Sequence, residues 1–120
     1  MAEEQTYLLD ANAPAQQMLH DIDEARAADE PDLRREHIQL ALDAAQSYAD
    51  DLDSALTTTE DPDLSDRIEE AVHHLDMAIE QGEAAIDAPD EDLEEYLSTM
   101  DRHAEQSYAR LQEAVGAAEQ

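Results

Sequence analysis

Histidine and tyrosine have the widest chemical reach among the side chains of this sequence, which contains no cysteine. His73 and His74 are adjacent, and Glu70 lies three residues before the first and four before the second. Positions three and four apart share a helix face, so Glu70 can meet either imidazole. Neutral imidazole and carboxylate are ligands for divalent transition ions, which makes Glu70, His73 and His74 a candidate metal set. With so many carboxylates in the chain, a solvated acidic face is the plainer expectation for them. His37 is different, because it falls on an apolar stripe. Tyr48 and Tyr108 occur in the same four-residue block, Gln-Ser-Tyr-Ala, at 46–49 and at 106–109. A buried tyrosine needs a partner for its hydroxyl. His37, Tyr48 and Tyr108 are therefore candidates for lining a small-ligand site, with satisfied core side chains as the plainer expectation.

Stronger chemical patterns are not matched. Di-iron carboxylate bundles need a Glu from each of two helices and Glu-x-x-His from each of two others. This chain has one Glu-x-x-His, Glu70 to His73. At about 100° per residue, both fall on the side opposite Ile68, toward solvent. Phosphotransfer domains also place a histidine on a four-helix bundle, in a turn that reads His-x-x-Lys-Gly. Here His37 is followed by Ile38-Gln39-Leu40-Ala41 and His103 by Ala104-Glu105-Gln106-Ser107, with neither Lys nor Gly. There is no Gly-rich phosphate loop and no Gly-x-Ser-x-Gly. No catalytic residue is assigned, no cofactor is expected, and the chain is read as not an enzyme.

The elements that must carry these residues are helices. Asp61-Pro62-Asp63-Leu64, at the midpoint, is a helix start: Asp supplies a capping oxygen and Pro suits the first helical position. Glu30-Pro31-Asp32-Leu33 and Ala88-Pro89-Asp90 repeat the cue, and Asn12-Ala13-Pro14 is a weaker copy. Apolar residues recur at helical spacing between the marks. Helices are expected over about 14–29, 31–56, 62–87 and 89–118, with a short helical segment at 3–12 broken or kinked at Pro14. The second carries the stripe Leu33, His37, Leu40, Ala44, Tyr48, Leu52 and Ala55, widened by Ile38, Leu42, Ala45, Ala49 and Leu56. Short connections favour antiparallel neighbours. The expected fold is all-α, one domain over 1–120, an antiparallel up-down-up-down four-helix bundle. The Gln-Ser-Tyr-Ala repeat at a spacing of sixty suggests a duplicated αα-hairpin, with Tyr48 and Tyr108 at equivalent places.

Composition bounds the environment. There are 33 acidic residues against six Arg and no Lys, for a net charge of −27. The acids run the whole length between apolar positions, and in this the chain resembles proteins of salt-in haloarchaea. The resemblance implies a cytoplasm of very high potassium chloride, with monovalent cations at the acidic surface. At 1 M salt the Debye length is about 3 Å, so self-repulsion is mostly screened. The hydrophobic residues are small: 22 Ala against 20 Leu, Ile and Val together, and no Phe or Trp. Such charge argues against nucleic acid as a partner. With no basic n-region, no apolar h-region and no apolar run near 18 residues, no membrane association is expected and a cytoplasmic location is. The functional expectation is a non-catalytic protein-interaction or scaffold module, binding a protein partner or itself through an apolar face left uncovered on the wide second helix. A metal- or small-ligand-binding bundle is the alternative.

Overall fold

The computed structural model describes residues 3–119. Four long helices make up almost all of it: α1, Glu3–Ala27; α2, Pro31–Thr58; α3, Pro62–Asp87; and α4, Leu93–Ala118. No strand occurs among the described residues. α1 lies closest to α2 and α3 to α4, and the α2–α3 and α1–α4 contacts close the square. This is the up-down-up-down bundle. A helix of 26 residues is about 39 Å long, which fits overall dimensions of 46 × 19 × 18 Å.

The helix starts follow the local chemistry, with three departures. The Asp61 carboxylate accepts the Asp63 N–H at 3.0 Å and Pro62 opens α3. Pro31 opens α2 without a side-chain cap. The first departure is at Pro14, where the sequence predicts a break or a kink. α1 runs unbroken from Glu3 to Ala27, so 3–12 and 14–29 are one element. Proline only removes its own N–H from the ladder, and packing on α2 supports the rest of the helix. The second is at Pro89, which precedes a single 3-10 turn, Asp90–Asp92, so that α4 begins at Leu93. The third is at the end of α2, which extends to Thr58. The Thr57 and Thr58 hydroxyls donate to the Asp53 and Ser54 carbonyls at 2.8 and 2.7 Å.

Buried positions alternate at spacings of three and four in every helix. In α1 they are Leu8, Ala11, Ala15, Met18, Ile22 and Ala25; in α2 they are Ile38, Ala41, Ala45, Tyr48, Leu52 and Ala55. This is the period of 3.5 that keeps one seam of a helix facing its partner. It corrects the predicted face of α2: Leu33 and Leu40 are 41 % and 47 % exposed, and His37 is half-buried. The core positions of α3 repeat those of α1 sixty residues on, from Ile68 to Ala85. Those of α4 repeat those of α2 fifty-nine residues on, from Leu97 to Ala114. Tyr48 therefore corresponds in space to Ser107, not to Tyr108. The shared Gln-Ser-Tyr-Ala block is turned by one residue, about 100°, between the two helices.

Small residues at these seams let helix axes approach, since side-chain size at the contact sets their separation. Gly82 is the extreme case. A Cβ there would lie 2.8 Å from both Leu42 Cδ2 and Met100 Cε. Two polar links cross the interior. The Tyr48 hydroxyl meets Ser107 Oγ at 2.9 Å and donates to the Ser107 carbonyl at 3.1 Å, while Ser107 Oγ donates to the Ala71 carbonyl at 2.7 Å. α2, α3 and α4 are thus tied at one level. At the end where both hairpin turns meet, Arg26, Arg34 and Arg35 join the two halves. Arg26 reaches Asp101 at 3.0 Å, Arg34 reaches Glu94 at 3.3 Å, and Arg35 donates to the Ala88 carbonyl at 2.8 Å and to Asp90.

Asp101 is mostly enclosed in this network. Its Oδ2 takes the Arg26 bond, and its buried Oδ1 has no partner. Burial pushes its carboxyl above the usual range, with the Asp23 charge adding to the rise and Arg26 opposing it.

Two outcomes follow from this packing. Gly116 faces open space, and a methyl added there would meet nothing within 4 Å. Gly116→Ala should therefore gain up to about 1 kcal/mol of helix propensity, whereas Gly82→Ala must displace Leu42 and Met100 and should lose that gain; equilibrium unfolding in high salt measures both. For Asp101, a folded pKa above the unfolded value of about 3.9 means stability is greatest below that value and falls as pH rises through the folded one. Wild type should lose stability relative to Asp101→Asn as pH rises above about 4, read from melting temperature against pH.

Candidate functional site

The structure separates the three candidate ligand-lining residues. Tyr48 is fully buried, and its hydroxyl is satisfied by Ser107. Tyr108, one residue around α4 from that site, is half-buried and accepts a hydrogen bond from Gln16 Nε2 at 3.1 Å on the α1 side. His37 lies eleven residues before Tyr48 on α2, about 16 Å along the axis. No common site joins His37, Tyr48 and Tyr108. Desolvation is the main reason the Tyr48 hydroxyl is pushed far above its ordinary value; its bond to Ser107 opposes the shift.

The metal candidates lie along the α3–α4 seam, and α4 adds His103 beside them. The His74 ring stacks on His103 of α4, with centroids 6.1 Å apart and planes 22° apart. His73 meets His74 edge-on at 5.5 Å. Glu70 Oε2 sits 3.3 Å from Arg110 Nε, and Arg110 also pairs with Glu113 at 2.9 Å. Glu70, His73, His74 and Arg110 share an open groove with Asp66 and Glu69. Among the described residues, no three His, Asp or Glu side chains converge closely enough to hold one ion. Glu70, His73 and His74 are therefore neighbours, with Glu70 engaged by Arg110. His74 is held below the ordinary histidine range, first by burial and then by His73, His103 and Arg110, with Glu70 opposing. The Nδ1 atoms of His74 and His103 are both enclosed and without a hydrogen-bond partner. A spacing signal for this pair exists in the sequence: each is one position short of an apolar core residue, Leu75 or Ala104.

A second feature is the outer surface of the α1–α2 hairpin. Leu33, His37, Leu40 and Ala44 form one strip of α2 by their spacing, and Leu33 and Leu40 are among the few large apolar side chains left exposed. Leu33 and His37 are flanked by Asp32, Arg34, Arg35 and Glu36, but charge thins out beyond them. Residues 11–20 carry no acid and no Arg, and residues 38–49 carry only Asp43. Because the two helices run antiparallel from the turn at 28–30, these stretches lie side by side. Ala13, Gln17, Leu40 and Ser47 are exposed there. A further groove between α2 and α3 has an apolar floor of Leu42, Ile79 and Ile86 and an acidic rim of Asp43, Glu83 and Asp87.

No protein-family model, curated protein or solved structure matches this chain. Among the described residues, no helix is long and apolar enough to cross a membrane.

The buried Tyr48 gives a measurable signature. A phenol whose folded pKa is raised contributes stability below its unfolded value of about 10 that is lost as pH rises. Of the four tyrosines, one should ionise only together with loss of helicity when alkaline titration is followed by tyrosinate absorbance and circular dichroism. Tyr48→Phe should remove that coincident step.

Proposed function

We propose that this chain is a non-catalytic helical module of a highly saline cytoplasm that works by self-association, a second copy docking on the α1–α2 outer face. One observation carries the reading: on a chain of net charge −27, the stretches 11–20 and 38–49 of the α1–α2 hairpin together carry a single acid, Asp43. A basic partner would gain by docking among carboxylates. A partner as acidic as the chain itself can approach closely only where carboxylates are missing, because like charges brought together cost free energy. Exposed Leu40 supplies apolar area at that place. The polar groups of the interior are engaged structurally: Tyr48 with Ser107, Ser107 with the Ala71 carbonyl, Asp101 with Arg26. Salt enters as a requirement of the same reading, since screening at molar ionic strength removes most of the long-range repulsion between copies.

Light scattering across about 0.1 to 3 M KCl, the range over which screening becomes short, tests it. The expected result is a larger species at high salt that dissociates as salt falls. Leu40→Asp should leave the chain monomeric at every salt while helicity stays at the wild-type level. Leu9→Asp, on the side of α1 where Asn12 and Gln16 reach α4, should not. A wild-type monomer at high salt, or equal effects of the two substitutions, would sink the reading.

A further inference from the structure

Independently of self-association, the groove between α2 and α3 has the make-up of a site for a small organic cation. We propose that it binds a linear aliphatic diamine, the alkyl chain lying on its floor and the ammonium groups at its rim. The floor is Leu42, Ile79 and Ile86, and the rim carries Asp43, Glu83 and Asp87, all three exposed. Gly82 gives the floor its depth: a Cβ there would lie 2.8 Å from Leu42 Cδ2, so Leu42 reaches in toward α3. At about 100° per residue, Gln39 and Asp43 lie roughly 60–100° round α2 from Leu40, so the groove is a separate face from the strip around Leu40.

The order along the groove follows from the topology. α2 and α3 run antiparallel, so Gln39, Asp43 and Gln46 meet Asp87, Glu83 and Ile79 in turn. Asp43 and Glu83 flank the middle, and Asp87 lies one turn, about 6 Å, beyond Glu83. An extended chain advances about 1.3 Å per bond, so roughly four methylenes separate two ammonium groups that reach both places. The space, about 370 Å3, is at the small end of the range for ligand sites, about 300–1,000 Å3. The rim has no cation of its own. The Arg side chains that form ion pairs among the described residues, Arg26, Arg34, Arg35 and Arg110, are engaged elsewhere. Asp43 takes a neutral donor, Gln39 Nε2 at 3.3 Å. It is also the single acid between residues 38 and 49, so its place on this rim is not one of a run of carboxylates. A bare metal ion would use the rim and leave the floor to water, and an apolar molecule would leave the carboxylates facing it. An alkyl stem with charged ends covers both, as lysine stems do on protein surfaces.

Methyl NMR of the full chain, titrated with butane-1,4-diamine in about 1 M KCl, tests the proposal; there the Debye length is about 3 Å and diffuse attraction to the net charge is mostly screened. Saturating shifts are expected for the Leu42, Ile79 and Ile86 methyls, with Leu9 and Leu33 left in place. Propane-1,3-diamine should bind up to about fourfold more weakly, the worth of one methylene taken from water. Butane-1,4-diol, which has the chain without the charge, should give no saturating shift. Glu83→Gln should weaken diamine binding roughly two- to fivefold, the scale of an exposed ion pair. Glu105→Gln, the same change of charge on α4, and Leu40→Asp, on the strip proposed for self-association, should leave it unaltered. No saturating shift of the three floor methyls, equal shifts with the diol, or equal weakening by Glu83→Gln and Glu105→Gln would overturn the site. A lysine-containing peptide that moves these methyls where the diamine does not would overturn the small-molecule assignment in favour of a protein partner.

Discussion

Alanine and glycine at the helix contacts set how near the axes come, and the rest of the bundle follows from that separation. The chain has no Phe or Trp to fill a wide interior. It closes the interior by bringing small faces together, and α1–α2 and α3–α4 are the tightest pairs. Gly82 marks the limit, because even one methyl there would press on Leu42 and Met100. Larger side chains such as Leu42, Ile79 and Ile86 lie at the wider α2–α3 contact, where a groove remains. A core of small residues gains little per position, so the strict alternation of three and four along all four helices is what lets the gains add up.

Charge is the opposing constraint. Six Arg face 33 acids, and half of those Arg gather where the two hairpin turns meet. There they offset the acids of both turns and tie one hairpin to the other. Exposed pairs of this kind are each worth little. Their placement matters more than their number, because this is the end at which Asp90, Asp92 and Glu94 would otherwise confront Asp29, Glu30 and Asp32. Along the hairpin sides Arg110, paired with Glu70 and Glu113 on α3–α4, gives some of the same relief, and the low-charge band on α1 and α2 stands out against the rest of the surface.

The fold was legible in large part. Helical periodicity, proline after an acid, and short connections led to four helices in the observed order. Misplacements came where packing outweighed a local cue. Pro14 looked like a boundary, but one lost backbone bond does not end a helix whose face is buried. Leu33 and Leu40 looked like core because they are large and apolar, yet Ile38 and Ala41 define the buried seam of α2. The repeat at a spacing of sixty was real as letters and misleading as geometry, since α4 enters the core one residue out of step. That shift separates Tyr108 from Tyr48 and puts Ser107 beside it.

The sequence by itself determined the helical state, the number and order of the helices, the acidic exterior and the thinness of the core. These depend on residue type and on spacing within one helix, where 3.6 residues per turn makes neighbours predictable. Only the tertiary structure decided which side chains meet across helices. The His74–His103 stack, the Tyr48–Ser107–Ala71 link and the Arg26–Asp101 pair all depend on the rotation and relative height of neighbouring helices. A rotation of one residue, about 100°, changes every such pairing while leaving each helix's own pattern intact, and the packing of small faces in three dimensions is what selects it.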